Sequence, residues 1–107
     1  MKIEVDEQEF DELQNYLVGE IVASVHRGLL DLRLPRNQLE DLVNTIAFNV
    51  CCAIDASTIM EHQGRRVLPV LTFAKDAEFD DVVSCGSSSS MHEYVHGTTE
   101  QLLDGEA

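Results

Sequence analysis

The stretch from residue 37 to residue 56 restricts the fold more than any other part of the chain, because it has the pattern of a helix that is apolar on most sides. Apolar residues recur there at intervals of three or four: Leu39, Leu42, Val43, Ile46, Ala47, Val50, Ala53 and Ile54. Phe48, Cys51 and Cys52 widen this stripe. Such a helix requires burial in the centre of a core or against a second subunit. We therefore expect a helix over 37–56 and a homodimer that covers its surplus apolar surface.

A second helix is predicted ahead of it, over residues 6–28. Asp6 and Glu9 have the spacing of a capping box, in which each side chain accepts a hydrogen bond from the backbone N–H of the other residue. Apolar residues then recur with helical spacing at Phe10, Leu13, Leu17, Ile21 and Val25. Gly28 can adopt the left-handed conformation that ends many helices, so the helix should end near it.

The connection between the two helices contains Pro35, which disfavours helix at the preceding residue. Residues 30–34 alternate between apolar and polar side chains and are therefore predicted to be extended. Asn37 and Glu40 repeat the capping-box spacing, so the second helix should begin at Asn37. Because the connection is short, the two helices should form an antiparallel hairpin.

After residue 57 the pattern changes from helical spacing to that of short strands. The predicted strands are 58–62, then 66–73, joined to the first around Gly64, and then 82–85. Residues 90–104 should form a short last helix that Gly97 interrupts or ends. The expected fold class is therefore α+β, with the helical hairpin packed on a small antiparallel sheet. A single domain should cover residues 1–104, with residues 105–107 frayed.

The charge of the chain limits its partners. Twenty acidic residues stand against seven lysines and arginines, which gives a formal net charge of −13. Such a surface repels nucleic-acid backbones and anionic membranes, so direct binding to either is not expected. No apolar run approaches the roughly 20 residues of a membrane span. The acidic start of the chain lacks the features of a signal peptide, and we expect a cytoplasmic protein.

Two acidic segments are the predicted contacts for a basic partner protein. The residues concerned are Glu7, Asp11, Glu12, Asp76, Glu78, Asp80 and Asp81. Carboxylates in the first turn of a helix also suit the positive end of its dipole, so the first segment has a purely structural explanation as well. The leading hypothesis is a small acidic protein-binding module of the adaptor, inhibitor or immunity type, without catalysis.

One motif names a chemistry. The residues His92-Glu93-Tyr94-Val95-His96 spell HExxH, which resembles the motif of the zincin peptidases over these five positions. The resemblance implies that His92 and His96 bind zinc and that Glu93 is the base that activates a metal-bound water. Glu100, four residues after His96, would then be a possible third ligand, with His62 or Cys85 as others.

The motif also has two readings without catalysis. In one, Cys85, His92 and His96 are ligands of a structural zinc, together with a fourth group. Alternatively, Ser90 and Glu93 have capping-box spacing, which would give Glu93 a structural role at the start of the last helix. The zinc-dependent hydrolase and the zinc-binding protein are therefore the alternatives to the binding module.

The cysteines and the one basic pair complete the candidate residues. The number of cysteines is odd, and two of the three are adjacent: Cys51, Cys52 and Cys85. This pattern does not suit a disulfide framework. Arg65 and Arg66 follow Gly64 in the predicted hairpin. We interpret them as charges that protect a strand edge from pairing with another sheet or that form ion pairs with acidic residues. Alternatively, they bind a phosphate or a carboxylate of a partner.

Overall fold

The computed structural model describes residues 1–105, in which three helices pack beside a small mixed sheet and a separate hairpin. The elements are β1 (Lys2–Val5), α1 (Glu7–Leu29), α2 (Arg36–Ile54), β2 (Glu61–His62), β3 (Arg65–Arg66), β4 (Phe73–Ala74), β5 (Asp81–Ser84) and α3 (Val95–Asp104). Short 3-10 turns cover Leu30–Leu32 and Met91–Tyr94. The predicted α+β class is confirmed. None of the helices in this part of the chain combines the length and apolarity that crossing a membrane requires.

The start of α1 follows the sequence pattern. Asp6 is the N-cap, and its carboxylate accepts a hydrogen bond from the backbone N–H of Glu9 at 3.1 Å. The helix passes Gly28 and ends at Leu29, where a 3-10 turn continues it to Leu32. The prediction that residues 30–34 are extended is therefore wrong: Leu30 and Leu32 belong to this turn, and Arg33 closes it in the left-handed conformation.

The start of α2 differs from the prediction. The helix begins at Arg36, one residue early, and Pro35 occupies the N-cap position without a side-chain hydrogen bond. Asn37 thus lies inside the helix, and the predicted capping box with Glu40 does not form. The fixed φ of Pro35 directs the chain into the helix in place of a cap.

The core lies where the three helices meet. The buried side chains at its centre are Val18 and Val22 of α1, Val43, Ala47 and Cys51 of α2, Met91, and Val95 of α3. α2 contacts α1, α3 and the 3-10 turn before α3. One face of α2 thus lies in the core, whereas Leu42, Ile46 and Val50 stay exposed, so the choice between a central helix and one covered by a second subunit stays open. Each fully buried valine contributes on the order of 1.5–3 kcal/mol by leaving water.

The sheet is mixed and not antiparallel as predicted. Its strand order is β1-β5-β4, with β1 parallel to β5 and β4 antiparallel to it. The third predicted strand is confirmed as β5, Asp81–Ser84. β1 was not predicted, although Lys2-Ile3-Glu4-Val5 alternates polar and apolar residues as a short strand does. A parallel pair needs a long crossover, and here the two helices and the hairpin supply it.

The predicted strand pair at residues 58–73 is much shorter than expected. Only Glu61–His62 and Arg65–Arg66 pair, around a turn in which Gln63 and Gly64 both have positive φ. Beyond these residues the Val67 N–H donates to the Met60 carbonyl at 3.0 Å, and the next strand residue is Phe73, which belongs to β4 in the other sheet. Pro69 lacks the N–H that a continued ladder requires.

The last helix also differs from the prediction. α3 runs from Val95 to Asp104 and includes Gly97 without a break. The capping box at Ser90 does not form, because the Ser90 side chain makes no capping bond to Glu93. Ser90 binds Gln14 instead: its N–H donates to Gln14 Oε1 at 3.0 Å, and its Oγ accepts from Gln14 Nε2 at 3.2 Å. Of the segment 105–107 that was expected to fray, residues 106 and 107 lie outside the described residues, and the Gly105 N–H donates to the Gln101 carbonyl at 3.1 Å.

Candidate functional site

The two predicted acidic segments lie at opposite ends of the β1–β5 strand pair. β1 leads directly into α1, so Glu7 follows its last residue by two positions. The acidic loop at 76–81 leads into β5, where Asp81 pairs with Lys2 of β1. The Lys2 N–H donates to the Asp80 carbonyl at 2.7 Å. This arrangement was not predicted, because β1 itself was not predicted.

An ion pair links the same two segments from the other side of the sheet. Lys75 follows β4, and its Nζ lies 2.9 Å from Glu9 Oε1 on α1. The hydrogen bond to Glu9 raises the pKa of Lys75, with Glu4 and Asp6 adding to the effect. Beneath this pair, the rings of Phe10 and Phe73 pack edge to face at 5.4 Å. The helix start is therefore fixed against the sheet.

Most of the predicted partner contacts are free to meet a ligand from solvent. Glu7, Glu12, Glu78, Asp80 and Asp81 are exposed. Asp76 is exposed too, but its Oδ1 accepts hydrogen bonds from the backbone N–H groups of residues 78 and 80, at 3.0 and 3.3 Å, and so shapes the loop.

Asp11 has a different environment from the other predicted contacts. Its Oδ1 accepts hydrogen bonds from the Tyr94 hydroxyl at 2.6 Å and from Gln14 Nε2 at 2.8 Å. These bonds, the one from Tyr94 first, lower the pKa of Asp11. The Asp11 carboxylate therefore ties α1 to the turn before α3.

Beside these acids lies an unpaired strand edge. β1 is the outer strand of the sheet and pairs only with β5 among the described residues. The N–H groups of Lys2 and Asp6 point towards β5, donating to the carbonyls of Asp80 and Ser84. Because backbone groups alternate along a strand, those of Ile3 and Val5 point to the open side. Both of these side chains are 63% exposed.

The HExxH residues have separate partners. His92 lies in the 3-10 turn, and its Nδ1 is 2.7 Å from Asp55 Oδ2. His96 lies in α3, is largely exposed, and its Nε2 is 3.1 Å from Glu100 Oε1. Glu93 is exposed. The motif thus spans the junction of two helical types and does not lie on one continuous α-helix, as a zincin motif would require.

Asp55 is the residue that sequence reasoning missed. It is buried at the end of α2. Its Oδ1 accepts a hydrogen bond from the Ser89 hydroxyl, and its Oδ2 accepts one from the His92 N–H at 2.7 Å as well as the ring contact. Burial raises the pKa of Asp55, but these hydrogen bonds outweigh it and hold the pKa below its ordinary value. Only the long-range fold pairs residue 55 with residue 92, so no local pattern predicts it.

The Asp55 cluster resembles a catalytic triad in composition but not in order. Catalysis by a serine requires a hydrogen bond from the serine hydroxyl to the histidine ring and a second one from that ring to the aspartate. Here the Ser89 hydroxyl donates to Asp55, on the opposite carboxylate oxygen from the His92 ring. The arrangement holds the turn before α3 against α2. The ring of His92 also packs edge to face on Phe48 at 5.8 Å.

The geometry around the proposed zinc ligands is partly suitable. A carboxylate on His92 Nδ1 leaves Nε2 directed outwards, as in many metal-bound histidines. Cys85 Sγ, however, lies 3.2 Å from the Ser87 carbonyl. Within residues 1–105, no three His, Cys, Asp or Glu side chains lie in an arrangement that could hold a metal ion. Zinc binding and hydrolysis stay predictions of the sequence.

Comparison with known proteins adds no further assignment. The chain matches no protein-family model, and neither curated proteins nor solved structures give a significant match.

Proposed function

We propose that this protein is a small acidic protein-binding module that takes a basic, extended segment of a partner along the open edge of β1. The observation that carries the proposal is the unpaired edge of β1 beside two acidic segments. An extended peptide can add a strand to such an edge through backbone hydrogen bonds. The exposed apolar side chains of Ile3 and Val5 would then contact alternate residues of the peptide.

Charge supplies the preference for a basic segment. Glu7 and Glu12 lie beyond one end of β1, and Asp80 and Asp81 lie beside the other. A net charge of −13 attracts a cationic chain over a distance of about one Debye length, roughly 10 Å at 0.1 M salt. The same charge disfavours nucleic acid as a direct ligand, because its phosphates are repelled.

The proposed setting is a reducing compartment such as the cytoplasm. All three cysteines, Cys51, Cys52 and Cys85, are free thiols. Burial raises the pKa of the Cys51 thiol to about 11, with Asp55 adding to the effect, so this thiol is protonated and unreactive at neutral pH. Cys51 acts as a small core side chain.

A binding titration tests the proposed function. The probe is a fluorescent peptide of alternating lysine and valine residues, and the readout is its anisotropy at low and high salt. We expect binding that weakens steeply with salt and that falls at least tenfold in the variant Glu7→Gln/Glu12→Gln/Asp80→Asn.

The matched control removes three exposed carboxylates elsewhere, in the variant Glu20→Gln/Asp31→Asn/Asp41→Asn. It has the same net charge as the first variant and should bind nearly as well as the parent protein. Equal losses of peptide affinity in the two variants would show that binding depends only on the net charge of the protein. A proline at Ile3, which removes an N–H from the open edge, should weaken binding even at low salt. Undiminished binding by Ile3→Pro would refute strand addition.

A further inference from the structure

One face of α2 lies uncovered beside the core. Leu42, Ile46 and Val50 follow one another at intervals of four along the helix and are 39%, 38% and 40% exposed. These three residues are called the helix stripe. Spacing by four places them on one side of the helix, next to the buried Val43 and Ala47. The stripe is about 12 Å long, at 1.5 Å of rise per residue.

The chain also carries an uncovered apolar segment. Residues 57–70, called the arm, contain β2 and β3, which pack mainly on each other. The exposed apolar side chains of the arm are Ile59 (73%), Met60 (42%), Val67 (40%), Leu68 (52%) and Val70 (65%). The radius of gyration is 15.7 Å, whereas a compact chain of this length has about 13 Å. The chain is therefore less compact than a typical domain of its length, in keeping with an arm whose two strands pack mainly on each other.

We propose that the protein is a homodimer in which the arm of each copy lies on the helix stripe of the other. Both surfaces are apolar, and both are left exposed by the same chain. In a dimer with a two-fold axis this contact occurs twice, so the two copies of it together form the dimer interface.

Charge favours a second copy as the occupant. The arm contains one acid, Glu61, and two arginines, Arg65 and Arg66, so its net charge is +1. The other residues carry 19 acids against five lysines and arginines, a net charge of −14. Arg65 and Arg66 are exposed at the hairpin turn. The arm is thus a net basic segment of an acidic chain, and the acidic remainder of a second copy attracts it while its apolar residues dock.

This inference concerns surfaces other than the open edge of β1 and does not rest on the proposed peptide binding. A protein that binds the basic peptide but stays monomeric would retain the proposed function and lose the dimer. A protein that dimerises but does not bind the peptide would retain the dimer and lose the proposed function.

Light scattering coupled to size exclusion, over low to high micromolar concentrations, tests the dimer. We expect the parent protein to dimerise and both Ile46→Glu in the stripe and Ile59→Glu in the arm to raise the dissociation constant at least tenfold. Leu32→Glu, at a side chain 61% exposed outside both surfaces, adds the same charge and should leave the dimer intact. Circular dichroism checks that each variant is folded.

A mixing experiment separates arm exchange from simple contact between two helix stripes. In a mixture of Ile46→Glu and Ile59→Glu, the intact arm of the first variant meets the intact stripe of the second. We expect heterodimers at a concentration where each variant alone is monomeric. A monomeric parent protein, an Ile59→Glu variant that dimerises like the parent, or a mixture without heterodimers would each overturn the proposal.

Discussion

Asp55 and His92 are 37 positions apart in the chain, yet one carboxylate oxygen of Asp55 accepts from both the backbone N–H and the ring Nδ1 of His92, each at 2.7 Å. The other oxygen accepts from the Ser89 hydroxyl. The end of α2 thereby supplies the cap that the turn before α3 does not find locally, since Ser90 makes no side-chain capping bond. This buried carboxylate is therefore one of the contacts that hold the turn before α3 on the core, beside those of Tyr94 and Ser90.

Replacing Asp55 should therefore destabilise the fold. Asp55→Ala leaves the Ser89 hydroxyl and the His92 N–H without their acceptor in a buried site. We expect a loss of about 2–4 kcal/mol in the free energy of unfolding, because buried hydrogen bonds to a charged group are involved. Urea unfolding followed by circular dichroism measures it. Asp41→Ala, at an exposed position of α2, should stay within about 0.5 kcal/mol of the parent protein.

The same carboxylate predicts a loss of stability in acid. The pKa of Asp55 in the folded protein lies below its ordinary value of 3.8. The contribution of Asp55 to the free energy of unfolding is therefore complete at pH values above the ordinary pKa. It is lost as the pH falls through the pKa of the folded protein. The pKa of Asp11 is also lowered, so it adds a contribution of the same sign.

The measurement is the free energy of unfolding between pH 6 and pH 2, roughly the range in which carboxylates titrate. The parent protein should lose stability more steeply below about pH 4 than Asp55→Asn, which has no proton to gain at that position. Parallel curves for the two proteins would show that Asp55 does not couple folding to pH.

The elements with a strong local signal were predictable, and the sites that join distant segments were not. The cap at Asp6 and the stripe of α2 follow from spacing alone. β1 has a weaker signal, because its polar–apolar alternation covers only the four residues from Lys2 to Val5. Without β1, neither the parallel pairing with β5 nor the placement of the two acidic segments at its two ends can be inferred.

The candidate site shows the same difference between features that are local in the sequence and features that join distant segments. HExxH is visible in the sequence because its residues are neighbours, whereas Asp55 is paired with His92 only by the packing of α2 against the turn. Ser90 was read as a local cap for Glu93, but its bonds go to Gln14 on α1. Short polar side chains have both local and distant options, and spacing alone does not decide between them.

Tyr94 should contribute to stability through Asp11. Its hydroxyl donates to the Asp11 carboxylate at 2.6 Å, which joins α1 to the turn before α3. Tyr94→Phe removes this donor and should lower the free energy of unfolding by about 1–2 kcal/mol, as expected for a hydrogen bond to a charged acceptor. Tyr16→Phe is the control, because Tyr16 is 73% exposed. Equal unfolding midpoints for the two variants would contradict a role for this bond.

Gly97 should be replaceable with a gain in stability. It lies inside α3, and an added Cβ would meet no other atom within 4 Å. Alanine restricts the unfolded chain more than glycine does, so Gly97→Ala should add about 0.5–1 kcal/mol to the free energy of unfolding. Gly19→Ala, with the same open surroundings inside α1, should act in the same direction. A thermal melt measures both, and a lower midpoint for Gly97→Ala would show that α3 bends at this position.

The zinc hypothesis has a direct test in the metal content of the purified, untagged protein. His92 contacts Asp55, and His96 contacts Glu100, so the two imidazoles have different carboxylate partners. We expect less than stoichiometric zinc by mass spectrometry, both as purified and after incubation with a modest excess. The His92→Ala/His96→Ala variant provides the baseline. Stoichiometric zinc that disappears in this variant would support the motif, and loss of peptide hydrolysis in Glu93→Gln would then separate a catalytic zinc from a structural one.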